Sequence, residues 1–175
     1  MPDNAEVRLF DVVKGQDAIL HSTSGELGVK TSLYLVFSAF IFSASIQLIN
    51  FAKDLPRPLS QYAVASCSVG AAISLIAALA LLIAALVRTY KIFPSRAMAG
   101  WIKETKAYKE KYPEEKAEDT SDGILSVLIE TIDANQVENE KKSTWIQVGS
   151  VCLFIALPFL VFGGSLALRA FFSRP

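Results

Sequence analysis

The sequence predicts an all-α integral membrane protein with three transmembrane helices and a small helical cytoplasmic domain between the second and the third. Three uncharged, apolar stretches carry this prediction: residues 31–52, 58–87 and 143–168. Each exceeds the roughly 20 residues that a helix needs to cross about 30 Å of hydrocarbon. All 17 Lys and Arg residues and all 17 Asp and Glu residues lie outside these stretches. The zero net charge gives no overall attraction to nucleic acid.

The charge distribution predicts the topology of the chain. Of the 17 Lys and Arg residues, 13 lie before the first stretch or between the second and third. Cytoplasmic loops carry the excess of basic residues, so we expect a cytoplasmic N-terminus and an external C-terminus. The expected segments are an N-terminal cytoplasmic helix (1–30), transmembrane helix 1 (31–52), transmembrane helix 2 (58–88), a cytoplasmic helical domain (89–142) and transmembrane helix 3 (143–170).

Glycine and proline predict where the first helices end. Gly25 and Gly28 predict a break before the first span, because glycine is unfavourable inside a helix. Pro56 and Pro58 predict a tight external turn after it, because proline blocks helix continuation. No basic segment followed by a short apolar core opens the chain, so we expect no cleavable signal peptide.

The second span carries small residues at every fourth position: Ser66, Gly70, Ser74 and Ala78. Such a stripe lets another helix backbone approach closely. The partner helix is expected either in the same chain or in a neighbouring copy. The residues themselves favour packing within the chain without excluding the other arrangement.

The third helix carries one continuous seam of positions spaced alternately by three and four, typical of helix packing by heptads. Its members are Leu125, Leu128, Ile132, Asn135, Asn139, Lys142, Ile146, Gly149, Leu153 and Ala156. Polar residues replace the hydrophobic ones at Asn135, Asn139 and Lys142, and Trp145 follows at the depth expected for a membrane interface.

Two interpretations of this polar group remain open at the level of sequence. The helix could pack on its neighbours with one polar turn at the lipid headgroups. Alternatively, asparagine in a seam fixes register and oligomer state, and an Asn and Lys ring at a membrane mouth could gate ions or contact a ligand. Further along, Pro158, Gly163 and Gly164 predict a hinge within the third span, although proline also occurs in membrane helices that do not move.

No residue pattern predicts enzymatic chemistry. His21 is the single histidine, and the sequence has no phosphate-binding glycine loop, nucleophile elbow or metal-ligand spacing. Cys67 and Cys152 both fall inside spans, where they are expected to be packing residues and not a disulfide. We therefore expect neither a catalytic residue nor a metal or cofactor, and no enzyme.

The order of these parts resembles a group of bacterial antiviral membrane effectors, the SLATT-type domains and the transmembrane effectors of pyrimidine cyclase (Pycsar) systems. The resemblance lies in residues 124–149, where Asn135, Asn139 and Lys142 lead into a span, and in residues 93–115, with Pro94, Trp101 and Pro113. It covers the architecture of most of the chain.

This resemblance implies a function. Such effectors respond to a nucleotide second messenger, oligomerise and disrupt the inner membrane. We therefore expect a homo-oligomer in the cell inner membrane that contacts lipid and no nucleic acid. A cyclic nucleotide ligand or a sensor protein would supply the signal. The alternative is a non-conducting scaffold or accessory subunit that anchors a partner protein.

Overall fold

The computed structural model describes residues 4–53, 57–87 and 118–172, with side chains at 15–53, 57–87 and 129–172. Three α-helices make up almost all of this: α1 (Asn4–Lys53), α2 (Leu59–Leu86) and α3 (Glu118–Phe172). Each contains a stretch long and apolar enough to cross a membrane. The predicted fold class, an all-α membrane protein with three spans, is confirmed for these residues. Residues 89–117 of the predicted cytoplasmic domain lie outside them.

The predicted break at Gly25 and Gly28 is wrong, because α1 runs through both residues. A glycine inside a helix costs only about 1 kcal/mol relative to alanine. Once a helix has formed on either side, continuing it adds one hydrogen bond for each residue fixed. A side chain at either position would meet open space, so neither glycine serves a close contact with the residues that the structure describes.

Helix α1 ends at Lys53 and α2 begins at Leu59, consistent with the predicted effect of the prolines on helix continuation. Pro58 occupies the N-cap position of α2, and its carbonyl accepts hydrogen bonds from the Gln61 and Tyr62 amides at 3.1 and 3.5 Å. Pro56 lies outside the described residues.

The chain divides into two compact units. The described part of the first consists of residues 4–24 of α1 and 118–139 of α3. The second consists of residues 25–53 of α1, all of α2, and residues 140–172 of α3. The second unit therefore holds all three uncharged stretches that the sequence assigns to the membrane.

Burial along α3 follows the predicted seam. All of its members with described side chains are buried: Ile132, Asn135, Asn139, Lys142, Ile146, Gly149, Leu153 and Ala156. The same spacing continues through Gly163, Ala167 and Ala170. In the described part of α1 the buried positions also follow a heptad: Thr31, Ser38, Ile41, Ser45 and Ala52.

The interior of the second unit is filled by side chains from all three helices. One cluster joins Ile41, Ala77, Leu81, Leu153 and Ala156. A second cluster consists only of alanines, at positions 52, 63, 167 and 170. Because small residues allow helix backbones to approach closely, the alanine cluster brings the three helices together without large side chains.

Serine hydroxyls add hydrogen bonds between these helices. Ser38 Oγ of α1 donates to the Ser74 carbonyl of α2 at 2.7 Å, and Ser66 Oγ of α2 donates to the Phe159 carbonyl of α3 at 2.8 Å. Interhelical hydrogen bonds in membranes contribute about 0.6 kcal/mol on average. These two bonds connect α2 to both of its neighbours.

The small-residue stripe of α2 packs inside the chain. Ser66, Gly70 and Ser74 are buried, and a Cβ at Gly70 would lie 3.4 Å from the Ala156 carbonyl oxygen of α3. Ala78 is only half-buried, and Ala77 is the buried residue at that turn. A strict fourfold spacing drifts around a helix of 3.6 residues per turn, so Ala78, the fourth member of the predicted stripe, is turned partly away from the buried side.

Candidate functional site

The polar stretch of α3, defined as Asn135, Asn139, Lys142 and Trp145, is mostly buried. The exposed fractions of the first three side chains are 1%, 6% and 7%. Trp145 differs, with 38% of its surface exposed. Polar side chains are seldom buried so fully unless they are hydrogen-bonded or paired, so their partners decide what the stretch can do.

Asn139 is incompletely paired within the first unit. Its Nδ2 donates to the Leu20 carbonyl oxygen of α1 at 3.5 Å, which is long for a hydrogen bond. Its Oδ1 is buried without a hydrogen-bond partner in the described part of the chain. A buried acceptor without a donor costs about 1–3 kcal/mol, so Asn139 presents an acceptor that a ligand or a rearranged helix could use.

Lys142 is a buried cation at the start of the second unit, just before the uncharged stretch of α3. Among the residues that the structure describes it has neither an ion pair nor a hydrogen bond. Burial lowers the pKa of its ammonium group below the ordinary lysine value, because the charged form loses hydration. An ammonium that has lost part of its hydration and has no counter-ion is a natural contact for an anion such as a phosphate.

Trp145 lies one turn beyond Lys142 with an exposed edge, and its position at the membrane interface stays a prediction. A role of these four residues in ligand contact or in oligomer state likewise stays a prediction. In the structure, the side chains of Asn135, Asn139 and Lys142 face the interior and not the solvent.

The residues of the predicted hinge lie within an unbroken helix, because α3 continues through Pro158 to Phe172. Gly163 has a packing role: a Cβ there would lie 2.5 Å from Cys67 Sγ and 3.2 Å from the Ala63 carbonyl oxygen. At Gly164 a Cβ would meet only Leu48 Cδ1, at 3.4 Å. The hinge itself stays a prediction.

Sequence reasoning missed three buried features of the second unit. Ser38 carries an interhelical hydrogen bond, and Ser45 Oγ is buried without a partner in the described part of the chain. Gly149 lies so close to Leu81 that a Cβ would be 2.7 Å from its Cγ. The heptad spacing of Thr31, Ser38 and Ser45 was the signal in the sequence that could have revealed the seam of α1.

An open apolar groove lies between α1 and α3 in the second unit. Its volume is about 240 Å³, and it is lined by Tyr34, Phe37, Ser150, Leu153, Phe154 and Leu157.

Cys67 and Cys152 are free thiols, as expected for packing residues. In the part of the chain that the structure describes, no group of three His, Cys, Asp or Glu side chains is placed to hold a metal.

Three helices that are long and apolar enough to cross a membrane, packed around a filled interior, define an all-α multi-pass membrane protein. The family model described as PycTM, a Pycsar effector protein domain, matches residues 26–169, well over half of the chain. The chain belongs to this family, so the resemblance to Pycsar effectors is confirmed. The protein is therefore a transmembrane effector of antiviral defence.

The matched residues include the whole polar stretch and all three apolar stretches. The family is one of non-enzymatic effectors. No curated protein and no solved structure gives a significant match.

Proposed function

We propose that this effector forms homo-oligomers that permeabilise the bacterial inner membrane when a nucleotide signal, or a partner that senses one, acts on the polar stretch of α3. The observation that carries the proposal is Lys142, a mostly buried side chain whose ammonium group has no partner among the described residues. It sits on a helix that continues without a break into the third span.

The chemistry of Lys142 supports an anionic ligand. Holding an unpaired charge away from water costs free energy, and a phosphate group at the ammonium would offset that cost. A ligand that contacts one arrangement of the helices better than another shifts the population toward it. Because α3 is continuous from Glu118 to Phe172, a displacement at Lys142 is carried directly into the membrane segment and to Pro158.

The filled interior of the second unit supports permeation between copies and not through a single copy. Ile41, Leu81 and Leu153 meet at its centre with their side chains almost fully buried. Among the described hydroxyls of the core, Ser38 and Ser66 are bonded to carbonyl groups of neighbouring helices. The described part of a single copy therefore offers no water-filled path through its core, which supports a pore formed by assembly.

The distribution of basic residues supports the orientation. We place the N-terminus and residues 89–142 in the cytoplasm, where a second messenger is produced, and the C-terminus outside. In this orientation Lys142 lies on the cytoplasmic side of the third span.

The direct test measures membrane potential in cells expressing the protein and dye release from liposomes that contain it. Cyclic CMP, UMP, AMP and GMP are added separately to both faces of the liposomes. We expect one or more of them to cause dye release and depolarisation. Intact membranes under every condition would favour the alternative, a non-conducting scaffold that anchors a partner protein.

Replacing both Asn135 and Asn139 by leucine tests the part of the polar stretch in the first unit. Leucine removes the unpaired Asn139 acceptor, so we expect higher thermal stability in detergent. If the asparagines fix register, the size of the oligomer also changes, and native mass spectrometry measures this. The control is Gln136→Leu, on the exposed side of the same turn. An unchanged size in the double variant would leave these asparagines a packing role only.

A further inference from the structure

Helix α1 has a second, polar side facing away from the core. Ala39, Ser43, Gln47 and Asn50 are all exposed, and their spacing of four, four and three places them on one side of the helix. Ser43 is two residues from the buried Ile41 and from Ser45, and two residues turn a helix by about 200°. We call these four residues the outer face of α1. It lies opposite the buried seam.

Part of the outer face lies deep in the apolar stretch. Ser43 precedes Lys53, the last residue of α1, by ten positions, or about 15 Å along the helix. That is about half of the 30 Å hydrocarbon thickness. Gln47 lies about 9 Å from the same end. Polar groups at these depths meet lipid chains that cannot accept or donate a hydrogen bond.

The polar side chains of the outer face are poorly paired within one copy. Neither Ser43 nor Gln47 makes a hydrogen bond in the described part of the chain. Asn50 Oδ1 accepts a bond from Lys53 Nζ at 3.3 Å, at the end of the helix. The Gln47 amide therefore places two hydrogen-bond donors and one acceptor at the edge of the hydrocarbon, and these groups have no partners among the described residues.

The neighbouring exposed surfaces of α1 and α2 are apolar and suited to contact with lipid chains. About 80–120° around the helix from Ser43, α1 exposes Leu33, Phe37 and Phe51, and the exposed Val36, Phe40 and Ile46 lie among the outer-face residues. The outward side of α2 exposes Leu75, Ile76, Leu79 and Leu82. The outer face of α1 differs from these surfaces because Ser43 and Gln47 lie among its apolar residues without hydrogen-bond partners in the described part of the chain.

We propose that the outer face of α1 is the contact surface between copies of this chain. An amide both donates and accepts, so Gln47 of one copy can pair with Gln47 of the next, and closed symmetric assemblies use the same residues from each copy. Ala39 and Ser43 are small enough for two backbones to approach closely. The inference rests on the proposed oligomeric function and names the helix that assembles.

Cysteine cross-linking in native membranes tests this contact. Ser43→Cys is compared with Phe37→Cys, which exposes a thiol six residues earlier and about 120° around the same helix. A disulfide requires Cα atoms within about 7 Å, so only a residue in the contact forms dimers efficiently. We expect several-fold more covalent dimer from Ser43→Cys, before or after activation, than from Phe37→Cys or the parent chain. Equal yields would overturn the proposal.

A second pair of variants tests the amide without introducing a thiol. Gln47→Leu is expected to lower the oligomeric fraction several-fold, whereas Gln61→Leu makes the same change at an exposed position in the first turn of α2. Gln47→Asn is expected to restore part of the assembly. Unchanged assembly in Gln47→Leu would also overturn the proposal, and so would an equal loss in Gln61→Leu.

The dye-release assay separates this inference from the proposed function. Nucleotide-dependent release by a protein whose Ser43→Cys variant does not cross-link preferentially refutes the α1 contact and leaves the function standing. Preferential cross-linking without release under any condition supports the contact and refutes permeabilisation. If the outer face instead lines water, a charged thiol reagent modifies the Ser43→Cys variant in the absence of dimers, and that result also counts against the contact.

Discussion

Gly163→Ala should be among the most destabilising substitutions that add a single methyl group to the second unit. The added Cβ would lie 2.5 Å from Cys67 Sγ, 3.2 Å from the Ala63 carbonyl oxygen and 3.3 Å from the Cys67 amide nitrogen. Two of these three atoms belong to the α2 backbone, so α3 must move away from α2. Overpacking costs typically about 1–3 kcal/mol, and we expect the upper end, measured as a lower unfolding temperature in detergent.

Gly164→Ala is the matched control, one residue along the same helix. A Cβ there meets only Leu48 Cδ1 at 3.4 Å, an ordinary contact with the end of a flexible side chain. Alanine also has the higher helix propensity, so this variant should be neutral or slightly stabilising. If both variants lose stability equally, loss of helix flexibility and not close packing would explain the effect, which would favour the hinge role.

Much of the fold was predictable because a bilayer imposes strict conditions on a sequence. A helix must supply about 20 apolar residues to cross it, and the three uncharged stretches met that condition without ambiguity. The seam of α3 was also predictable, because its spacing of three and four records which side of a helix is buried. The same signal was present in α1, at Thr31, Ser38 and Ser45.

Details that depend on neighbouring helices were not predictable. Gly25 and Gly28 suggested a break because glycine is a weak helix former, but helix propagation on both sides outweighs that preference. The buried Ala77, one residue from the predicted Ala78, reflects the exact rotation of α2 against its neighbours. A spacing rule identifies a helix face to within about one residue, and packing decides the rest.

The candidate site was predictable in position but not in environment. The sequence singled out Asn135, Asn139 and Lys142 because they interrupt an apolar seam. A polar turn next to a span could equally have faced lipid headgroups. Burial of Lys142 and the missing partner of Asn139 Oδ1 depend on what surrounds α3, and that information lies in the tertiary structure.

Lys142→Met should change stability and function in opposite directions. Methionine retains much of the length of lysine but removes the buried charge. Replacing a partly desolvated charge by an apolar side chain of similar volume removes the cost of its lost hydration, so we expect a higher unfolding temperature in detergent. Lys141→Met is the control, because Lys141 is exposed on the neighbouring position of the same helix.

The pH dependence of that stability difference follows from the lowered pKa of Lys142. At pH values below the lowered pKa, Lys142 is protonated in the folded protein, and the folded state then carries the full free-energy cost of the partly desolvated charge. As the pH rises through the lowered pKa, the folded state releases its proton before the unfolded state does, and the cost declines. The advantage of Lys142→Met should therefore be largest near neutral pH and narrow toward the ordinary lysine pKa. An advantage independent of pH would point to better packing instead.

The same variant should lose the response to the signal. We propose that an anionic nucleotide acts by neutralising the charge of Lys142. Methionine carries no charge, so the nucleotide would no longer bind one arrangement of the helices more tightly than another. We expect dye release by Lys142→Met to fall at least tenfold at a nucleotide concentration that activates the parent, while Lys141→Met responds normally. Lys142→Arg keeps the charge and should retain part of the response. A stable, assembled Lys142→Met protein that still responds fully would remove Lys142 from the signalling step, whatever the fate of permeabilisation itself.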